Sequence, residues 1–153
     1  MVLLEKVVSG GQTGVDRAGL DAAMAAGILV GGWCPRGKLA EDRRVPDRYP
    51  LTETPRRLYA QRTEWNVRDS DATLILNVGP TLSGGTAITA LAVARLGKPS
   101  LVVDLDRPPE PAAIRAWLAA RGVRILNVAG PRESKAQGVH ARARTFLAAL
   151  FAG

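Results

Sequence analysis

The run Ala72-Thr73-Leu74-Ile75-Leu76-Asn77-Val78 constrains the fold more than any other stretch of the chain. It is nearly continuously apolar and lacks the alternation of a strand with one wet face, so it predicts a central strand covered on both sides. Strands of that kind belong to parallel sheets, whose crossover connections lay helices over both faces. The rest of the sequence supplies the partners. Val7-Val8, Ile28-Leu29-Val30, residues 100–105 and residues 123–128 read as four further strands. Helical patterns fall at residues 16–26, 61–69, 85–95 and 134–150, and a further helix is opened by Pro108, Pro109 and Pro111 and reaches Arg121. Gly97 with Pro99, and Gly122, supply stop signals. Five strands alternating with helices predict an open α/β sheet, mainly parallel and doubly wound, in one domain spanning residues 1–153.

In such sheets ligands bind beyond the carboxyl ends of the strands, where the winding direction reverses. Three turns leave strand carboxyl ends, at residues 9–14, 79–86 and 127–134, and a parallel sheet puts all three on one edge. The first contains Gly10, Gly11, Gln12, Thr13 and Gly14 and runs into a helix with Asp16 in its first turn. Its glycines permit close backbone approach, and the free N–H groups of the helix start favour an anion such as phosphate. Gln12 and Thr13 add side-chain donors. Asp16 reads equally as an acid stabilised by the helix dipole and as a ligand contact. The second turn, Ser83-Gly84-Gly85-Thr86, repeats the pattern at another helix N-terminus. The third brings Arg132, suited to a bidentate grip on an oxyanion, beside Ser134, which reads as an N-cap. A strained turn without a ligand is the alternative for the first stretch, and its recurrence in the second counts against it. The first turn has the spacing of neither common nucleotide fingerprint, so magnesium-dependent nucleotide hydrolysis is not expected.

Arg62, Glu64 and Asn66 are further possible site residues. Arg62 and Asn66 share one face of the predicted helix, and Glu64 and Arg68 share another, where an ion pair between them is the structural alternative. Trp65 reads as a core residue and Asp71 as a turn residue. Residues 33–55 hold Pro35, Gly37, Pro46, Pro50 and Pro55, and predict an irregular loop or lid that packs through Trp33, Tyr49, Leu51 and Leu58.

The single cysteine, Cys34, leaves no intrachain disulfide and fits a reducing cytoplasm; it reads as buried and inert, with a ligand or redox role as the alternative. His140 is the single histidine and reads as a surface or packing residue, so no zinc or other metal site is expected. No stretch is long and apolar enough for a bilayer, so no membrane is expected as a partner, and Met1 to Lys6 lack a signal-peptide layout. The net charge of +7 is uneven: residues 1–71 carry 11 basic and 10 acidic side chains, residues 72–153 carry 10 and 4. The positive second half suits a small anionic ligand; the basic residues are dispersed without interleaved aromatics, which disfavours nucleic acid as a partner.

Taken together, Ser9-Gly10-Gly11-Gln12-Thr13-Gly14-Val15-Asp16-Arg17, Gly31-Gly32-Trp33-Cys34-Pro35-Arg36-Gly37, Ala40-Glu41-Asp42, Arg62-Thr63-Glu64-Trp65-Asn66-Val67, Ser83-Gly84-Gly85-Thr86 and residues 127–134 resemble the molybdenum cofactor carrier proteins. Those are a circularly permuted branch of a wider Rossmann-like superfamily of nucleotide-ligand sensors. The resemblance covers nearly the whole chain. It implies a three-layer Rossmann-like domain, a homo-oligomer, and a pocket for molybdenum cofactor of the molybdopterin type or a related nucleotide-like anion, passed on to an acceptor molybdoenzyme. The wider superfamily also holds phosphoribohydrolases, with P-G-G-x-G-T-x-x-E supplying a catalytic glutamate. Here that stretch reads Ser83-Gly84-Gly85-Thr86-Ala87-Ile88-Thr89-Ala90, without the glutamate. The expectation is therefore a binding or carrier protein with no catalytic residue. A nucleotide-processing enzyme of the N-glycosidase or hydrolase type, using Glu64 or Asp16, or a sensor of nucleotide-derived ligands, is the alternative.

Overall fold

The computed structural model describes residues 4–153; Met1–Leu3 of the N-terminal reading lie outside it. Five strands form one parallel sheet: β1 (Lys6–Val8), β2 (Leu29–Gly31), β7 (Ala72–Asn77), β8 (Ser100–Asp104) and β9 (Ile125–Ala129), in the order β2-β1-β9-β7-β8. The helices are α1 (Val15–Ala25), α2 (Tyr59–Arg68), α3 (Gly84–Leu96), α4 (Pro111–Ala120) and α5 (Val139–Ala152). Helices α1 and α5 pack together with α4 beside α5, and α2 packs against α3. The right-handed rule explains the layering, because connections running toward β2 and toward β8 must cross opposite faces. The result is the three-layer α/β arrangement expected of the sequence.

All six residues of β7 are buried, as the apolar run requires. Its place is interior but not central: β9 occupies the middle, because the chain returns from β8 through α4, passes over β7 and inserts between β7 and β1. The principal core lies between the sheet and α1, α4 and α5, with Val7, Leu74, Leu76, Leu126, Ile114, Leu147 and Leu150 almost fully enclosed.

Most element boundaries shift by one or two residues from the sequence reading, as α2 and β9 do, and two regions differ by more. The last helix begins at Val139, not Ser134, because Gly138 adopts φ 84° and interrupts the chain just before it. The cap comes from upstream: the Glu133 carboxylate accepts from the N–H groups of Gly138 and His140. Ser134 is therefore no N-cap. Residues 33–55 contain four short strands, β3 (Trp33–Cys34) paired in parallel with β6 (Thr52–Glu53), and β4 (Leu39–Ala40) paired antiparallel with β5 (Arg43–Arg44). They close over a second apolar cluster of Leu20, Cys34, Ala40, Val45 and Tyr49. The Tyr49 hydroxyl donates to Asp21 Oδ1 at 2.7 Å and so ties this segment to α1. No helix among the described residues is long and apolar enough to cross a membrane.

Gly130 lies where β9 leaves the sheet, and a Cβ there would sit 2.2 Å from the Leu76 carbonyl oxygen and 2.7 Å from Val15 Cγ2. Gly85 has open space around the same position. Gly130→Ala should cost about 2 kcal/mol or more of stability by overpacking. Gly85→Ala should leave stability unchanged or gain about 0.5 kcal/mol from helix propensity. Urea unfolding of the two variants measures the contrast.

Candidate functional site

A cavity of about 310 Å³ opens at the carboxyl ends of β1, β9 and β7. Gly10 and Gln12 from the first turn, residues 83–86 from the second and residues 127–132 from the third all line it, with Arg62 and Tyr59 of α2 as a side wall. The sheet thus brings the three turns together.

Arg62 is only 7% exposed. Its Nη1 donates to the Gly10 carbonyl at 2.8 Å and stands 3.6 Å from Asp16 Oδ2, and its guanidinium carbon lies 5.2 Å from the centre of the Tyr59 ring. The guanidinium lies so close over the first turn that a Cβ on Gly10 would fall 2.3 Å from Nη1. Arg62 Nε is buried with no hydrogen-bond partner. Asp16 accepts the Gln12 N–H at 3.2 Å. Burial pushes its carboxyl up to about 6, and the Arg62 charge opposes that rise only in part.

Four amides at the first turn are taken up within the protein. Gln12 N–H goes to Asp16, Thr13 N–H to Gln12 Oε1, Val15 N–H to the Pro131 carbonyl, and Gly11 N–H reaches Ser9 Oγ at 3.5 Å. Gly11 packs against Leu51 and Val45, and Gly14 against the backbone of residues 131–133. Neither of these glycines, nor Thr13, lines the cavity. Asp16 supplies the negative charge at this turn.

The second turn is different. Ser83 caps α3 with no side-chain hydrogen bond, and the first helical bond runs from Ala87 N–H to the Ser83 carbonyl. The N–H groups of Gly84, Gly85 and Thr86 have no intrahelical acceptor, and these three residues face the cavity. Asn77 Nδ2 holds the preceding loop by donating to the carbonyls of Gly79 and Thr81, both at 3.0 Å. Lys135 lies alongside, its Cε 4.0 Å from where a Cβ on Gly84 would be. Arg132 lines the cavity too; its Nε is buried without a hydrogen bond, 3.3 Å from Glu41 Oε2. Three cationic side chains and one carboxylate therefore face one space.

The remaining candidates serve the scaffold. Asn66 touches the cavity, but its amide pairs with both backbone groups of Trp33, at 2.8 and 2.9 Å. Glu64 lies outside the cavity and pairs with Arg95 of α3 at 2.9 Å. The expected Glu64–Arg68 pair is not formed; Arg68 instead binds both oxygens of Asp69. Trp65 is half-buried, edge-on to Trp33 with centroids 4.8 Å apart. Asp71 accepts from the N–H groups of Arg124 and Ile125 and fixes the start of β9. Cys34 is fully buried away from the cavity, and burial pushes its thiol up. His140 stands 2.8 Å from Asp21. No cluster of His, Cys, Asp and Glu that could hold a metal occurs among the described residues.

Sequence reasoning missed Lys135, Tyr59, Asn77, Asn127 and Glu41. Glu41 is the most consequential. Its carboxylate accepts from Thr13 Oγ1, from Ser134 N–H and from Ser134 Oγ, while its own N–H goes to Gln12 Oε1. One hairpin residue thereby fastens the first and third turns together. The signal was its place in Ala40-Glu41-Asp42, a polar tip whose partners are 28 and 93 residues away.

Residues 7–151 match the model of the circularly permutated YpsA SLOG family, and the chain belongs to that family. It is similar to the crystal structure of a "putative molybdenum carrier protein" from Syntrophus aciditrophicus SB, with 43% identity over 97% of this chain and 96% of that one and a TM-score of 0.92. Among curated proteins nothing matches.

The raised Asp16 pKa has a definite consequence for stability. Its ordinary value is 3.8 and its folded value about 6, so between those pH values the folded chain holds more proton than the unfolded one. Stability therefore falls as pH rises through that window. Asp16→Asn abolishes this contribution: wild type should lose about 2 kcal/mol more than the variant between about pH 4 and about pH 7. Urea unfolding of both proteins across that range measures it.

Proposed function

We propose that this chain is a binding or carrier protein for a small anionic, phosphate-bearing cofactor, with molybdenum cofactor of the molybdopterin type as the cargo that best fits its relatives. The observation that carries the reading is the open first turn of α3. Gly84, Gly85 and Thr86, whose N–H groups have no intrahelical acceptor, line a cavity that Arg62, Arg132 and Lys135 also line, and a helix N-terminus with cationic neighbours suits an anion. The Nε atoms of Arg62 and Arg132 are buried in the same region without a hydrogen bond and so keep donor capacity there. At about 310 Å³ the cavity is in the range of small-molecule sites. The first turn is a support in this reading: it holds Arg62 and Asp16, while phosphate rests on α3. Residues 33–55, fixed through Glu41 and Tyr49, form the adjoining rim or lid.

The absence of a carboxylate at the α3 turn favours binding over hydrolysis, since Thr89 and Ala90 stand where a general base would be needed. One observation supports the alternative, a nucleotide hydrolase: Asp16, in the cavity wall with a carboxyl near 6, is poised to move a proton near neutral pH. Release of free base from nucleoside monophosphates, lost in Asp16→Asn, would establish it.

A homo-oligomer belongs to the same proposal. Leu91 on α3 is 67% exposed and Val102 on the edge strand β8 is 50% exposed, an apolar surface that a second copy would cover.

Gly85→Asp tests the binding reading without a folding penalty, because the new side chain meets open space and a carboxylate is tolerated at a helix N-terminus. Native mass spectrometry of gently purified wild type should show a retained phosphate-bearing small molecule, and the variant should not hold it. Affinity for the released molecule should fall about a hundredfold or more, the effect of like charges in contact. Unchanged retention by Gly85→Asp contradicts the proposal.

A further inference from the structure

The cavity is not uniformly positive. Asp16 partners Arg62 at 3.6 Å and accepts the Gln12 N–H, yet it also places a carboxylate, 8% exposed, in the wall of a cavity lined by three cationic side chains. Burying a carboxylate is costly and its charge repels the ligand. Its placement is also polarised. Asp16 follows β1 and the open α3 turn follows β7, and β9 lies between those strands. Two strand spacings separate the two ends by roughly 10 Å. A phosphate held at residues 84–86 therefore sends the remainder of its ligand across the end of β9 toward Asp16. Tyr59, Ile88 and residues 127–130 at the end of β9 line the same cavity, and an aromatic residue among them suits a ligand that carries a flat ring.

We propose that Asp16 determines the specificity of this cavity, accepting two adjacent N–H groups from a heterocycle with a 2-amino-4-oxo pyrimidine edge while the anion of the same ligand lies on α3. The proposal rests on the anion-binding reading above. A carboxylate offers about four lone-pair sites and binds a pair of parallel N–H donors in a fork. On Asp16 Oδ2 takes the Gln12 N–H and lies near Arg62, which leaves acceptor capacity on the carboxylate. Its neighbours do not offset its desolvation, since the carboxyl remains raised; two further N–H donors would. A ring that presents an unprotonated nitrogen at the same place sets acceptor against carboxylate and is rejected.

Calorimetric titration of the full chain with inorganic phosphate, GMP, IMP and AMP tests this. GMP offers both N–H groups, IMP one, and AMP pairs a donor with an unprotonated nitrogen. Wild type should bind GMP about tenfold or more tighter than AMP, with IMP between them, as expected for a fork worth a few hydrogen bonds to a charged group. In Asp16→Asn the preference for GMP over AMP should shrink to about twofold or less. The wild-type comparison stands even if that variant fails to fold. Binding of phosphate and all three nucleotides without preference for GMP, or a preference that survives in Asp16→Asn, overturns the role of Asp16 and leaves the anion site intact. Failure of phosphate and all three nucleotides to bind contradicts both.

Discussion

Arg62 is the side chain on which the geometry of the site depends. Its guanidinium lies across Gly10, holds the carbonyl of that residue and stands beside Asp16, so α2, the carboxyl end of β1 and the first turn of α1 are joined by one buried cation. A buried charge is tolerable only when paired. Arg62 has Asp16 as its partner, and Asp16 in turn stays near its titration point because burial outweighs that partnership. In the proposed reading, a ligand with both acceptor and donor groups completes this pair.

The two glycine turns look alike in sequence and do different work. In the first, Gly10 makes room for Arg62, Gly11 for Leu51 and Val45, and Gly14 for the backbone after Pro131. The amides of Gln12, Thr13 and Val15 are already bonded, the first of them to a carboxylate of the same protein. In the second, nothing stands within 4 Å of a Cβ on Gly85, and Gly84, Gly85 and Thr86 line the cavity together with Lys135. Anion affinity follows from unsatisfied donors, not from glycine content. In the proposed function the anion therefore rests at the α3 end of the crevice.

Much of this was legible in the residues. Local apolar runs and glycine stops carry strand and helix identity, and the alternation of Val7-Val8, Ala72–Asn77 and their partners was enough for the three-layer sheet and for the three turns on one edge. The family resemblance drawn from the same turns agrees with the family match over residues 7–151. What escaped depends on distant pairing. Strand order is one case, since nothing local says that β9 inserts between β1 and β7. Glu64 is another: α3 brings Arg95 within reach, and this pairing replaces the one four residues along the helix. Glu41 and Lys135 are a third, single charged residues on loops whose partners are supplied by the closed fold. The start of α5 was missed because its cap is a glutamate five residues before Gly138.

The two turns differ most directly in where an anion would touch the backbone. Amide NMR of the uniformly nitrogen-15-labelled chain, titrated with inorganic phosphate, reads this directly. The signals of Gly84, Gly85 and Thr86 should move in one saturable transition, while those of Gln12, Thr13 and Val15, already bonded within the fold, stay in place. Shifts confined to the first turn, with α3 silent, would contradict anion binding at α3.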